Sequence, residues 1–188
     1  MLDQLLQLDQ ALFLELNNLG TPAWDGFWLF ITNKLHSIPL YCILLFVSYQ
    51  QLGVKKTLVL LVTIGILIGV TDQLANFFKY GVQRLRPCHN MELTSVMRLV
   101  KSSCGGKYGY FSAHASNAFA VATFFTFLLK NSFKLIGICL VTWAAMVAYS
   151  RVYIGVHFPL DIFTGMCIGV FLGWLLYTLF LRVLKKMD

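Results

Sequence analysis

Charge is scarce in this 188-residue chain, since only 12% of its residues are charged and only eight are Asp or Glu. Water-soluble domains carry about a quarter charged residues. With 58% hydrophobic residues and a mean hydropathy of +0.71, the composition excludes a soluble globule and predicts an integral membrane protein. The few acidic residues are also scattered along the chain, which argues against the carboxylate clusters that hold Mg²⁺ or a pair of metal ions.

No cleavable signal peptide is visible either, because the first residues are acidic and amphipathic and do not form a basic segment before an apolar run. We therefore expect the first membrane span to act as its own insertion signal. Leucines mixed with Asp, Gln, Glu and Asn over residues 2–19 predict an amphipathic helix lying in the membrane interface. Gly20 and Pro22 are typical of a helix end, so we place the interfacial helix within residues 1–22.

Long apolar runs make up most of the remaining sequence. Five of them approach the roughly 20 residues that cross a bilayer, at 35–52, 55–80, 114–130, 133–154 and 158–183. The predicted fold class is all-α, a polytopic membrane helical bundle of about five transmembrane helices plus the N-terminal interfacial helix. We expect one domain over residues 1–188, with the bundle in residues 24–188 and a long polar loop at 81–113.

The net charge of +7 comes from two groups of basic residues. One group lies in short turns and at the C-terminus, as cytoplasmic segments do under the positive-inside rule: Lys55, Lys56, Lys130, Lys134, Arg182, Lys185 and Lys186. The other gathers at the opposite ends of the spans, which breaks that rule and indicates an anionic ligand: Lys34, Lys79, Arg84, Arg86, Arg98, Lys101, Lys107 and Arg151. No basic-aromatic nucleic-acid module is present.

The stretch from Ser150 to Asp161 holds Arg151, His157 and Asp161 in order. A His and an Asp four residues apart share one face of a helix and can hydrogen-bond. An Asp that holds one imidazole nitrogen leaves the other oriented and basic, as a nucleophile requires. The same spacing also suits a capping pair or two metal ligands. Arg151 adds a planar cation suited to phosphate oxygens.

The end of the second span carries Asp72, Lys79 and Arg86 seven residues apart, with Asn76 and Gln83 between them. This spacing predicts a polar stripe along one helix face that ends where Pro87 stops the helix. Ionisable residues at membrane depth normally face a protein interior or an aqueous cavity. For Asp72 the alternative is an internal ion pair with Lys79.

The third span begins with Ser112, Ala113 and His114, which would place these residues at a helix N-terminus. Unpaired backbone N–H groups and the positive end of the helix dipole make such a terminus an anion site. A histidine at a helix start is usually a surface residue, but this one shares its face of the membrane with the cations.

These three stretches resemble the motifs of the type 2 phosphatidic acid phosphatase family of integral-membrane lipid phosphatases. Lys79, Arg86 and Pro87 match its first motif, K-x6-R-P. Its third motif, S-R-x5-H-x3-D, is matched in full from Ser150 to Asp161. Its second motif, usually P-S-G-H, reads here Phe111, Ser112, Ala113 and His114. The resemblance covers residues 72–165.

The resemblance implies a role for each matched residue. His157 attacks phosphorus and becomes a phosphohistidine, Asp161 orients it, and His114 protonates the leaving group. The phosphate-binding set is Lys79, Arg86, Ser112, Arg151 and the backbone at Ala113. Because fixed cations and a helix N-terminus can stabilise phosphoryl transfer by themselves, we expect a metal-independent enzyme with no cofactor. Arg84 lies off the stripe, and Arg98, Lys101 and Lys107 either attract an anionic head group or stay solvated.

The five cysteines fall into two groups. Cys42, Cys139 and Cys167 lie within apolar spans, where we expect small core residues. Cys88 and Cys104 lie in the polar loop on the face expected to be oxidising, so we predict a disulfide, with a pair of free thiols as the alternative.

The resulting hypothesis is an inner-membrane, multi-pass phosphatase whose active-site loop, residues 81–113, faces the periplasm or outside. Its partners would be the bilayer and a lipid phosphate such as undecaprenyl pyrophosphate, phosphatidylglycerol phosphate, phosphatidic acid or lipid A. Undecaprenyl pyrophosphate is slightly favoured, because a small enzyme without an extra domain needs only a general phosphate cradle. Alternatives are an enzyme like the vanadate-dependent haloperoxidases and a non-catalytic anion or lipid transporter.

Small residues at Gly165, Gly169 and Gly173 allow another helix to approach the last span closely. We expect this helix to belong to the same chain. The pattern also permits a homo-oligomer but does not require one.

Overall fold

The computed structural model describes residues 1–187, and the last residue of the predicted bundle, Asp188, lies outside this range. Residues 1–187 contain no β-strand, and a single bridge pairs Leu85 with Tyr108. The all-α prediction is therefore confirmed. The α-helices are α1 (Leu2–Asn18), α2 (Pro22–Thr32), α3 (Ile38–Val82), α4 (Ala113–Leu129), α5 (Ile136–Tyr153) and α6 (Pro159–Leu184), with 3₁₀ turns at Lys34–Ser37 and Pro87–His89.

Helix α3 is interrupted at Gly53, whose φ of 71° lies in the left-handed region that favours glycine. Without a break, its 45 residues would extend about 68 Å, roughly twice the thickness of a bilayer core. Tyr41 and Leu45 from before the break line the same cavity as Leu60 and Ile64 from after it. The two halves therefore lie side by side, so that residues near 38 and residues near 72 sit at one end of the bundle.

Three helical stretches are long and apolar enough to cross a membrane: Lys34–Val82, Ile136–Tyr153 and Pro159–Leu184. The break at Gly53 divides the first into two crossings, and the shorter apolar α4 adds another. Large apolar side chains cover the outside of the bundle, as expected of a surface that faces lipid. The protein is an integral membrane protein, and its helices match the five predicted spans with shifts of up to three residues at each end.

Helix α4 is the centre of the bundle, with buried residues on every side. A Cβ atom added to Gly165, Gly169 or Gly173 of α6 would collide with the backbone of α4, at Ser112, Ser116 and Ala120 respectively. Four-residue steps on both helices therefore keep them in register at close approach. The predicted intramolecular role of the glycines is confirmed, and this contact fixes the N-terminal end of α4 against the start of α6.

Helix α1 turns its leucines outward and packs on the bundle through a stripe of three buried residues, Asp9, Phe13 and Asn17. Leu2 and Leu8 are 66% and 68% exposed, respectively. The amide of Asn17 donates to the backbone oxygens of Val152 and Tyr153 at 3.0 and 2.9 Å. This division of faces is the one expected for a helix at the membrane interface.

Two local predictions are wrong. The stripe on α3 does not reach Arg86, because the helix ends at Val82 with Gln83 in the left-handed conformation, and Asn76 and Gln83 are exposed. Arg86 instead has an extended backbone. The cysteines expected in the core, Cys42, Cys139 and Cys167, are exposed on the surface of the bundle. A membrane-spanning helix contacts two apolar environments, the protein core on one side and lipid on the other. A residue in an apolar run can therefore face lipid and need not be buried in the core.

Candidate active site

The chain brings the residues of all three motifs to one end of the bundle. Lys79 lies in the last turn of α3, and Arg86 follows in the loop. Ser112 and His114 lie at the start of α4, and Arg151 lies in the last turn of α5. His157 and Asp161 occupy the connection from α5 to α6 and the first turn of α6.

His157 and Asp161 form the expected pair, with 3.3 Å between imidazole Nδ1 and carboxylate Oδ2. The geometry is not the predicted helix face, because α6 begins only at Pro159. Asp161 is instead in the first turn, where its Oδ2 also accepts the backbone N–H of Phe158 at 3.1 Å. One carboxylate therefore both holds the imidazole of His157 and caps the start of α6. With Nδ1 donating to Asp161, the lone pair of Nε2 is left for chemistry.

Burial lowers the pKa of His157 to about 4, although the hydrogen bond and charge of Asp161 oppose this shift. His157 is 2% exposed and Asp161 is fully buried. At neutral pH the imidazole is consequently uncharged, which is the form in which Nε2 can attack an electrophile.

Arg84 holds the other oxygen of Asp161, donating from Nη1 to Oδ1 at 2.9 Å. Its Nη2 donates to Oδ2 of Asp9 at 2.5 Å, and its guanidinium stacks over the ring of Phe158. Asp9 Oδ1 accepts from the backbone N–H of Leu160 at 2.8 Å. Burial raises the pKa of Asp9, and the bonds from Arg84 and Leu160 oppose that rise. Helix α1 thus reaches the His157–Asp161 pair through one buried carboxylate and one arginine.

The cations lie close enough to one another for their charges to interact. Lys79 lies within electrostatic range of Arg86 and Arg151, and also of Lys34. Backbone oxygens of the loop anchor Arg86, which donates from Nε to Tyr108 at 3.2 Å and from Nη1 to Cys104 at 2.8 Å. Asp72 lies within electrostatic range of Lys79 and Asp161 within range of Arg86, but no salt bridge joins these pairs within residues 1–187. Cations that lie close together repel one another, so this cluster is suited to an anion.

Arg151 is 5% exposed, and its Nη1 donates to the hydroxyl of Thr32 at 2.5 Å. Its Nε is buried and donates to no group among residues 1–187. More than nine in ten buried donors have a partner, so a buried guanidinium N–H without one calls for an explanation. An oxyanion bound beside Arg151 would supply the missing acceptor.

The start of α4 is built as predicted. Ser112 is the N-cap, and its Oγ accepts from the backbone N–H of Ala115 at 3.4 Å. The N–H of Ser112 donates to the backbone oxygen of Asp161 at 3.0 Å, which ties the second motif to the third. His114 lies in the first turn, within electrostatic range of Arg151 and His157. The replacement of the usual Gly by Ala113 leaves the helix start intact.

The loop between α3 and α4 is closed by a disulfide that joins Cys88 to Cys104, with Cα atoms 6.0 Å apart, which confirms the predicted pairing. Arg98 pairs with Asp25 at 3.0 Å and lies over the ring of Tyr153, so it has a structural role beside the turn between Arg151 and His157. Lys101 and Lys107 are exposed. Of the four unplaced cations, only Arg84 touches a motif residue.

Asp72 forms no ion pair with Lys79 within the described chain. Its Oδ1 instead accepts from the side-chain amide of Asn117 at 2.8 Å, and Asn117 accepts in turn from the hydroxyl of Thr71. Among residues 1–187, no group of three or more His, Cys, Asp or Glu side chains converges as metal ligands would.

Three contributors were not found from the sequence. Asp9, Thr32 and Asn117 contact Arg84, Arg151 and Asp72, respectively, from outside the motifs. The four-residue spacing of Asp9, Phe13 and Asn17 was the one available signal, because it marks a second, partly polar face on α1. For Thr32 and Asn117, only the tertiary packing reveals the contact.

The sequence is similar to a known protein family and to characterised members of it. The PAP2 superfamily matches residues 56–185. A lipid A 4'-phosphatase of Bacteroides thetaiotaomicron is 34% identical over 179 residues, which are 94% of this chain and 79% of the relative. An undecaprenyl-diphosphatase of Sulfolobus acidocaldarius is 33% identical over 133 residues, 71% of this chain and 57% of the relative.

The fold also resembles a solved structure. The crystal structure of a transmembrane PAP2 type phosphatidylglycerolphosphate phosphatase from Bacillus subtilis superposes with a TM-score of 0.72. The likeness covers 98% of this chain and 88% of that one, at 22% sequence identity. At this identity the likeness concerns the fold alone.

Proposed function

Because this chain belongs to the PAP2 superfamily and is a membrane lipid phosphatase, we propose that it removes a phosphate monoester from a sugar-based lipid of the lipid A type. Its relatives are lipid phosphatases, which argues against the alternative of a non-catalytic transporter. The relative that matches 94% of this chain is a lipid A 4'-phosphatase, whereas the undecaprenyl-diphosphatase matches 71%. This changes the preference that the sequence alone gave to undecaprenyl pyrophosphate.

The observation that carries the phosphatase mechanism is the buried Nε of Arg151, which has no acceptor among residues 1–187. It is buried beside the cation cluster and the start of α4, within electrostatic range of Arg86 and His114. A phosphoryl group would accept from Arg151 while its charge offsets the repulsion among the cations. Its remaining oxygens would face Lys79, Arg86, Ser112 and the first backbone N–H groups of α4.

In the proposed reaction, Nε2 of His157 attacks phosphorus in line with the bond to the leaving sugar oxygen. The N–P bond forms as the P–O bond breaks, and His114 gives its proton to the departing alkoxide. Water then attacks the phosphohistidine, with His114 taking a proton from it, and the P–N bond breaks to release phosphate. Asp161 keeps Nδ1 protonated throughout, so that Nε2 remains the reactive atom.

We place the site at the outer face of the inner membrane. Lys55, Lys130 and Lys134 lie at the other end of the bundle, as the positive-inside rule expects of a cytoplasmic face. A disulfide beside the site fits an oxidising compartment. A lipid substrate could then keep its acyl chains in the outer leaflet while its head group enters the pocket.

The test is phosphate release by the purified protein from a panel of lipid phosphates, with EDTA present. The panel holds a lipid A 4'-phosphate, undecaprenyl pyrophosphate, phosphatidylglycerol phosphate and phosphatidic acid. We expect the lipid A substrate to give the highest kcat/KM and His157→Ala to lower it by at least about 10³-fold. His89→Ala, which alters an exposed histidine of the loop, serves as the matched control.

Three outcomes would contradict this proposal. A higher kcat/KM for undecaprenyl pyrophosphate would return the substrate to the diphosphate class. Loss of turnover in EDTA would overturn metal independence, and full activity in His157→Ala would remove the nucleophile.

A further inference from the structure

A cavity of about 150 Å³ opens beside His114, between the start of α3 and helices α4 and α5. An apolar protein cavity of about this volume binds benzene, so this cavity is on the scale of a single ring. His114 is the one proposed catalytic residue in its wall. The chemistry of the wall is set by six side chains, which are Lys34, Tyr41, Asp72, His114, Asn117 and Trp143.

The position of the cavity determines which part of a substrate would enter it. In-line phosphoryl transfer puts the nucleophile and the leaving group on opposite sides of phosphorus. The group that protonates the leaving oxygen must lie within hydrogen-bond reach of it. Under the mechanism proposed above, the cavity that His114 borders is therefore on the leaving-group side, and neither His157 nor Asp161 lines it.

The most unusual wall residue is Asp72, an acidic side chain toward the C-terminal end of the apolar helix α3. An ionisable residue in a membrane-spanning helix normally faces a cavity or a partner. Asn117 donates to Oδ1 at 2.8 Å, and Thr71 fixes the amide of Asn117 from its other side. Oδ2 of Asp72 makes no hydrogen bond to residues 1–187. Because an ionised carboxylate oxygen only accepts hydrogen bonds, a ligand that binds Oδ2 must supply a donor such as a hydroxyl or amide N–H.

The walls combine this acceptor with apolar surface. Tyr41 and Trp143 lie edge to face with ring centroids 6.0 Å apart, and both border the cavity. A pyranose presents C–H groups on its faces and hydroxyl or amide hydrogens at its rim, so it matches aromatic walls and a carboxylate at once. A second phosphate at the same place would face the carboxylate of Asp72, and like charges repel.

We propose that this cavity is a sugar subsite for the leaving group and that Asp72 selects a sugar hydroxyl over a leaving phosphate. This assignment rests on the proposed function, because it takes the position of the nucleophile from it. Lys34 also lines the cavity, and its charge would attract a leaving phosphate. Since Asp72 is the one acidic residue in this wall, its charge is what would disfavour a leaving phosphate against a sugar hydroxyl.

The experiment compares kcat/KM for a lipid A 4'-phosphate with kcat/KM for undecaprenyl pyrophosphate. In Asp72→Asn we expect this ratio to fall at least 10-fold, while Gln73→Ala, an exposed neighbour on the same helix, keeps the wild-type ratio. Asp72→Glu retains the charge and should stay within about threefold of the wild-type ratio. An unchanged ratio in Asp72→Asn would overturn the proposal.

A second measurement needs no variant, which keeps the proposal testable if Asp72→Asn does not fold. The phosphate-free glucosamine lipid should inhibit wild-type turnover competitively, at least 10-fold more strongly than a diacylglycerol with the same acyl chains. Equal inhibition by the two lipids would overturn the sugar subsite. Wild-type protein that hydrolyses no sugar phosphate at all would instead overturn the proposed function, so the two failures are distinguishable.

Discussion

The two histidines of the site are held in different ways. His157 is 2% exposed and bonded to an aspartate that receives three hydrogen bonds, from an imidazole, an arginine and a backbone N–H. The ring of His114 forms no hydrogen bond within residues 1–187 and borders a cavity. Rigid positioning on the His157 side suits a step common to every substrate of a phosphatase. An open wall on the His114 side suits a leaving group that differs from one substrate to the next.

The comparison is tested most strongly by the substitution His114→Ala. Without an acid on the leaving-group side, kcat/KM of a sugar phosphate, which reports the steps up to departure of the leaving group, should fall by about 10²–10⁴-fold. A nitrophenolate leaves without protonation, so kcat/KM of a nitrophenyl phosphate should fall by less than about 10-fold in the same variant. Measuring both substrates with wild type, His114→Ala and His89→Ala separates lost chemistry from lost folding. Equal losses on both substrates would show that His114 is not the acid.

Substitution of Arg84 tests the rigid positioning of His157 by Asp161. Arg84→Ala should lower kcat by about 10–100-fold with little change in KM, because the guanidinium binds Asp161 and Asp9 and would act by orienting Asp161. The variant also leaves the buried carboxylate of Asp9 without its cation. Arg84→Ala together with Asp9→Asn should then recover part of the lost thermal stability but not the lost kcat. Recovery of kcat in the double variant would show that Arg84 acts through folding alone.

The smallest expected effect is that of pH on the nucleophile. Burial lowers the pKa of His157 to about 4, so the uncharged imidazole is present above that pH and is lost as the pH falls through it. After correction for ionisation of the substrate phosphate, kcat/KM of His114→Ala on a nitrophenyl phosphate should stay level from pH 8 to about pH 5. An acid limb centred on the ordinary histidine pKa would contradict the buried, neutral state of His157.

The sequence predicted the parts of this molecule that depend on local pattern. The apolar runs predicted the membrane spans, and Ser112 and His114 predicted where α4 begins. The sequence could not predict where α3 ends, because the polar spacing of Asp72, Lys79 and Arg86 continues past Val82 into a loop. It also gave no sign that Asn117 bonds Asp72 or that Thr32 bonds Arg151. Those contacts depend on how α3 packs on α4 and how α2 packs on α5, which no single stretch encodes.

Asp9 lies between these two cases. Its membership of an amphipathic helix was predicted, yet its burial against Arg84 reverses the usual rule that charged residues of such a helix face water. Asp9 lies four residues before Phe13 and eight before Asn17, and this spacing indicates a second packing face on α1. Its connection to the site required the fold.

Trapping the phosphoenzyme tests whether His157 becomes covalently phosphorylated, the step on which the proposed mechanism depends. Protein mixed with ³²P-labelled lipid phosphate is quenched within milliseconds in alkaline detergent, digested and mapped. We expect label that is stable to alkali and labile to acid, on the peptide that contains His157. Label should be present in wild type and His89→Ala and absent in His157→Ala. Turnover without any trapped label, or equal label in His157→Ala, would contradict this step.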